Sequence, residues 1–159
     1  MTPAGIGYDS HRLLAGRRLV IGGVEIPSEV GLEGHSDADV LAHAVIDALL
    51  GAAGLGDIGE HFPDTDERWR DADSIALLQA VVTMVAGRGL VIENVDCTVM
   101  MEKPKLSPHR AAIRASLARA LGLDTARVNV KATTGERMGF VGRGEGVGAL
   151  AVASLRETG

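Results

Sequence analysis

The sequence predicts an α+β fold, a single-domain sandwich over residues 1–159. One mixed four-stranded sheet carries helices on one face, and a short hairpin stands apart from it. Three observations carry this reading. Segments with apolar residues at helical spacing alternate with segments of period two, so helical crossovers and strands interleave along the chain. The stretch "RRLVIGGVEIP" reads as strand, Gly-Gly turn and short strand, closed by Pro27. The last segment, "GVGALAVASLRE", sets Val147, Ala149, Ala151 and Ala153 against Leu150, Val152 and Leu155. A strand apolar on both faces is buried on both faces. With so few helices to cover it, self-association is the expected cover.

The elements follow in order. A first extended region covers residues 4–12. In "SDADVLAHAVIDALLGAAG", Leu41, Val45, Ala48, Leu49 and Ala52 share one helical face, with Ser36 or Asp37 as cap and Gly54 as end. "LGDIGEHFPDTDERWRDAD" is polar and long for a loop, which marks a functional or mobile segment. "SIALLQAVVTMVAGRG" is a second helix, capped by Asp73 or Ser74, and "LVIENVDCTVMME" alternates as a strand. "SPHRAAIRASLARALG" is a third helix with Pro108 at its first position and Gly122 at its end. "RVNVKATT" is the penultimate strand.

Composition narrows the function. A net charge of −5 argues against nonspecific nucleic-acid binding, which needs a basic surface. It leaves an anionic substrate open, because local fields can oppose the net charge. Aromatic residues make up only 3% and glycines number 21, so packing relies on small and aliphatic side chains at close approach. No apolar run reaches the ~20 residues of a membrane span, and "MTPAGIGYDS" lacks the basic and apolar regions of a signal peptide. A cytoplasmic protein without membrane or nucleic-acid partners is expected. Cys97, the sole cysteine, alternates with Val95 and Val99 and reads as a small buried hydrophobe.

Chemistry begins at "YDSHRL", where Asp9 and His11 are two apart and share one face of a strand. His43, inside the first helix, is the candidate third ligand. Asp39 and Asp47, four residues before and after it, are placed to accept its second N–H. A carboxylate and two imidazoles make a familiar catalytic zinc set with an open fourth position. Spacing alone equally allows a solvated His11 and a His43 bonded to Asp47. His35 and Ser36 read either as loop residue and cap or as a phosphate contact at a helix start. Asp57 and the run Phe62 to Asp66 read as a solvated acidic loop or as a binder of sugar hydroxyls. Lys103 and Lys105 flank Pro104 in a stiff extended segment suited to a flat ring. "KATTGE" gathers Lys131, Thr133, Thr134 and Glu136 after a strand, with hydroxyls for phosphate and a carboxylate for a hard cation. "GFVGRGEGVG" precedes a strand, so it is neither a dinucleotide fingerprint nor a P-loop, and Arg143 pairs simply with Glu145.

Taken together, "GYDSHRL", "IGGVEIP", "HSDADVLAHAVIDALLGAAGLGDIGEHFPDTD", "ADS", "PKLSPH", "VNVKATT" and "GFVGRGEG" resemble the 2-C-methyl-D-erythritol 2,4-cyclodiphosphate synthase family of the non-mevalonate isoprenoid pathway. The motifs run in order through almost the whole chain. The resemblance implies a phosphorus–oxygen lyase that cyclises 4-diphosphocytidyl-2-C-methyl-D-erythritol 2-phosphate and releases CMP. The substrate supplies its own nucleophile, which accounts for the lack of a persuasive protein one. The resemblance assigns Asp9, His11 and His43 to Zn²⁺, and Glu136 to a second cation, Mg²⁺ or Mn²⁺, on the diphosphate. His35 and Thr134 match the transition-state stabilisers, and His35 with Ser36 the erythritol phosphate contact. Asp57, Ile58, Gly59, Phe62, Pro63, Asp64, Thr65 and Asp66 match the methylerythritol loop. Met101, Glu102, Lys103, Pro104, Lys105, Leu106 and Ser107, with Thr133, Thr134, Gly135 and Glu136, match the cytidine segments. Phe140 and Arg143 match the remaining contacts. The family is a homotrimer with sheets packed around the trimer axis, active sites between subunits and, in some members, an isoprenoid diphosphate in the central cavity. Two positions depart from it. Met101 stands where a small residue is common, and Gly135 replaces a threonine, which implies a less rigid loop.

Overall fold

The computed structural model describes all 159 residues. Strand β1 (Ala4–Ala15) is followed by the short strands β2 (Leu19–Ile21), β3 (Val24–Ile26) and β4 (Val30–Leu32). Helices α1 (Val40–Ala53), α2 (Ile58–His61) and α3 (Ser74–Gly87) lead to β5 (Leu90–Met100). Helix α4 (Arg110–Leu121) crosses to β6 (Val128–Thr133), and the single turn α5 (Gly139–Gly142) precedes β7 (Gly146–Glu157). The sheet order is β4-β1-β7-β5-β6, with β2 and β3 as a separate hairpin. All pairs are antiparallel except β5 with β6, which the α4 crossover makes parallel. The main sheet thus has five strands, not four. The extra one, β4, is a three-residue edge strand centred on Gly31, too short to show a period. The Gly-Gly hairpin forms as the sequence predicts, with positive φ at both Gly22 and Gly23.

The helix ends refine the sequence reading. Asp39, not Ser36 or Asp37, caps α1, accepting from the Ala42 N–H, while Gly54 in the left-handed region closes it. Asp73 caps α3, and Gly122 closes α4. Helix α1 is buried almost all round, between the sheet and α3, and one apolar core fills this layer. Cys97 lies in that core, where burial pushes its thiol up to about 12.

Strand β7 runs down the middle of the sheet. Val147, Ala149, Ala151, Ala153 and Leu155 face the core, so Leu155 joins the covered set rather than the outer one. The outer face remains open within one chain. Leu150 and Val152 are 38% and 47% exposed. Register places Tyr8 beside Leu150 and Ile6 beside Val152, which makes one contiguous apolar patch.

The inner face is held by an unusually short contact. A Cβ built on Gly7 would lie 1.8 Å from the Ala44 carbonyl oxygen, and one on Gly5 2.1 Å from that of Ala48. Strand β1 and helix α1 therefore meet backbone to backbone, which only glycine permits. Gly51 differs, since its Cβ would find nothing closer than 3.9 Å. Gly7→Ala is expected to destabilise the fold by about 3 kcal/mol through overpacking. Gly51→Ala is expected to gain up to about 1 kcal/mol from helix propensity. Urea denaturation of the two variants checks both signs.

Candidate metal centre

Asp9 and His11 continue the inward face that Gly5 and Gly7 begin, because alternate strand residues share a side. His43 descends from the first turn of α1, one residue before the Ala44 contact. The three side chains converge. His11 Nε2 lies 2.7 Å from Asp9 Oδ2, and His43 Nδ1 lies 3.0 Å from the same oxygen. The two ring nitrogens are 3.3 Å apart. Tetrahedral zinc with bonds of about 2.0–2.1 Å needs ligand atoms about 3.3 Å apart. The spacing fits, with slight contraction at the oxygen. His11 Nδ1 donates to the Glu33 carbonyl at 2.8 Å, so its Nε2 is the nitrogen left for a ligand. These residues therefore suit a divalent metal with three protein ligands.

The charges agree. Burial alone would raise the Asp9 carboxyl, but the adjoining His11 and His43 rings outweigh it and bring its pKa down to about 2. Burial likewise acts against the His11 imidazolium, yet the Asp9 carboxylate leaves its pKa raised above 6.5.

The far side of His43 differs from the sequence expectation. Asp39 accepts the N–H groups of Gly22 at 2.8 Å, Gly23 at 2.6 Å and Ala42 at 3.0 Å, tying the hairpin to the start of α1. Burial pushes its carboxyl up to about 6 against these donors. Asp47 accepts the Ile58 N–H at 2.8 Å. Neither reaches the imidazole. His43 Nε2 instead lies 2.8 Å from Ser74 Oγ and 3.2 Å from Ser36 Oγ. The Ser74 hydroxyl donates to Asp37. The sequence marked Ser74 and Asp37 only as possible caps.

A cleft of about 380 Å³ opens beside the cluster. It is lined by Asp9, His11, His43, His35, Ser36, Ile58, Gly59, Phe62, Pro63 and Asp64, with Gly34, Trp69 and Leu77. Of the predicted loop residues, Asp57, Thr65 and Asp66 do not line it. Asp57 caps α2, while Asp66 pairs with Arg68 and its carbonyl accepts from His35 Nε2 at 3.0 Å. Trp69 packs edge-on against Phe62 across the cleft wall. The sequence offered no signal for Trp69 beyond its place in the polar loop.

The other predicted set gathers elsewhere. Met101, Glu102, Lys105, Leu106 and Ser107 line a cleft of about 170 Å³ with Thr133 and Thr134. Lys103 and Pro104 belong to the same connecting segment. Glu102 accepts from Gly135 N at 2.8 Å and Arg137 N at 3.3 Å, anchoring the turn that carries Glu136. Gly135 is tightly packed, with its missing Cβ only 2.5 Å from Gly142 N. The expected loosening of this loop thus meets two anchors. Phe140 borders a third, small cleft with His11 and Glu145, and Arg143 pairs with Glu145 at 2.9 Å. Register aligns Asp9 with Ala149, Ala149 with Val99 and Val99 with Ala132. Three strand spacings of about 4.8 Å put the metal cluster and the threonine segment on the order of 14 Å apart across the sheet. Within one chain they share no cleft.

A family model described as the YgbB family matches residues 3–156. A curated relative from Salinibacter ruber, named 2-C-methyl-D-erythritol 2,4-cyclodiphosphate synthase, is 59% identical over 152 residues, covering 96% of this chain and 97% of the relative. The solved bifunctional IspDF of Campylobacter jejuni superposes with a TM-score of 0.95 at 44% identity, over 99% of this chain and 42% of that one. A solved 2C-methyl-D-erythritol-2,4-cyclodiphosphate synthase in its CDP-bound form gives 0.89 at 42% identity, over 96% and 99% of the two chains. No helix here is long and apolar enough to cross a membrane.

A metal must displace the proton that Asp9 helps His11 to hold. Zinc titrated into metal-free protein at about pH 6.5 should therefore release protons, read as a dependence of calorimetric heat on buffer ionisation enthalpy. Affinity should rise with pH from about 6.5 until the raised His11 pKa is passed, roughly tenfold per unit for each proton displaced, and level off above it. A pH-independent affinity would contradict this ligand set.

Proposed function

This chain belongs to the YgbB family, and from that premise we propose that it cyclises 4-diphosphocytidyl-2-C-methyl-D-erythritol 2-phosphate to 2-C-methyl-D-erythritol 2,4-cyclodiphosphate and CMP. The observation that carries the reading is the convergence of Asp9, His11 and His43 at a cleft that also holds His35 and Ser36. An oxygen of the substrate's 2-phosphate bonds to the β-phosphorus. The bridging bond to the α-phosphate breaks, and CMP leaves with the electron pair. No water enters the product, and no protein nucleophile is required. Positioning and charge neutralisation carry the rate.

Asp9, His11 and His43 hold Zn²⁺ in this reading, and Glu136 meets a second cation, Mg²⁺ or Mn²⁺. Bound there, the metals supply Lewis acidity and a template for the diphosphate. His35, whose Nε2 is fixed on the Asp66 carbonyl, turns its other nitrogen to phosphate, and Thr134 donates its hydroxyl. Ser36 contacts the erythritol phosphate. The cleft wall of Ile58, Gly59, Phe62, Pro63 and Asp64 receives the methylerythritol. The segment 101–107 with Thr133 and Thr134 holds the cytidine.

These two halves lie apart within one chain, so the active site is shared between neighbouring subunits of a homotrimer. The open apolar patch of Ile6, Tyr8, Leu150 and Val152 supports association through the sheet faces. The whole chain serves as one synthase domain.

Phosphorus NMR tests the chemistry. The cyclic diphosphate and CMP are expected to appear together, in equal amounts. A linear phosphate product would replace this reading with a metal-dependent hydrolase. Subunit mixing tests the shared site. Asp9→Asn and Thr134→Ala chains are each expected to be inactive. Refolded together in equal amounts, they should recover about one quarter of wild-type activity, because a site then needs one intact half from each neighbour. No recovery would place both halves in one chain.

A further inference from the structure

Resting on the metal reading above, we propose that Ser74 and Asp37 are positioning residues for the metal, holding His43 in the tautomer that presents Nδ1. Asp37 Oδ2 accepts the Ser74 N–H at 3.0 Å, and its Oδ1 accepts the Asp39 N–H at 3.1 Å and the Ser74 hydroxyl. A carboxylate only accepts, so the single hydroxyl proton of Ser74 goes to Asp37. The Ser74 oxygen then faces His43 with a lone pair, 2.8 Å from Nε2. Ser74 is fully buried, so no water competes for that position. The proton of neutral His43 is therefore held on Nε2.

The consequence lies across the ring. Nδ1 is the atom 3.0 Å from Asp9 Oδ2 and 3.3 Å from His11 Nε2. Left alone, the Asp9 carboxylate would draw the imidazole proton onto Nδ1 and block it as a ligand. Ser74 and Asp37 oppose that pull from the other side. Ser36 assists weakly, its Oγ 3.2 Å from Nε2 and already accepting the Ala38 N–H. Partners that fix a ligating imidazole in this way typically change metal affinity about 10- to 100-fold.

The variants are Ser74→Ala, which removes the acceptor, and Asp37→Ala, which removes the carboxylate and leaves the hydroxyl free to donate to Nε2. Zinc affinity is measured by chelator competition. The tautomer is read from the His43 ring ¹⁵N shifts in metal-free protein. Both variants should bind zinc about 10- to 100-fold more weakly and populate the Nδ1–H form, while Ser74→Thr, which keeps the hydroxyl, stays close to wild type. Variants that lose thermal stability but keep wild-type zinc affinity and the Nε2–H tautomer would overturn the proposal, leaving a structural role only. Wild-type protein that takes up no zinc would overturn the metal reading instead, and the ¹⁵N shifts would still decide the tautomer.

Discussion

The backbone contact between β1 and α1 governs the rest of the molecule. Gly5 and Gly7 carry no Cβ, so the helix settles onto the strand at Ala44 and Ala48. Any side chain at Gly7 would lift the helix, and with it His43. Because the strand alternates, Asp9 and His11 continue on the same inward face just past the contact. His43 precedes Ala44 and reaches down beside them. A packing decision at two glycines thus becomes a distance of 3.0 Å between His43 and Asp9, contributed by elements 34 residues apart. The same closeness buries the cluster enough for its charges to matter.

Around this contact most carboxylates do architectural work. Asp39 ties the hairpin to α1, Asp47 ties α1 to α2, and Asp73 caps α3. Asp37 joins the starts of α1 and α3. Asp9 is the one carboxylate in the metal cluster. The acidic run "SDAD" is therefore a set of helix-start anchors, and the negative formal charge of the chain says little about the substrate. The cleft itself presents the histidines His11, His35 and His43 and the Ser36 hydroxyl, which suit a phosphate-rich ligand.

Much of this was legible in the sequence. The strand periods, the Gly-Gly turn and the helix face of Leu41, Val45 and Leu49 located the elements, since each is a local pattern. The pair Asp9 and His11 with His43 was visible as one reading of two, and only the ordered motifs favoured the metal. What stayed hidden was long-range or too short. Strand β4 has three residues and no period. The cap of α1 had several acceptors within four positions, and tertiary bonds from Gly22 and Gly23 selected Asp39. Ser74 meets His43 across 31 residues, with no local signature of the contact. The separation of the two clefts depends on strand order, with β7 and β5 lying between β1 and β6.

In this reading the glycine contact builds a metal site at Asp9, His11 and His43. Anomalous diffraction at the zinc edge, on crystals grown with CDP, tests it most directly. The account predicts one zinc peak per chain, within bonding distance of Asp9 Oδ2, His11 Nε2 and His43 Nδ1. A peak placed elsewhere, or none in zinc-supplied protein, would contradict it.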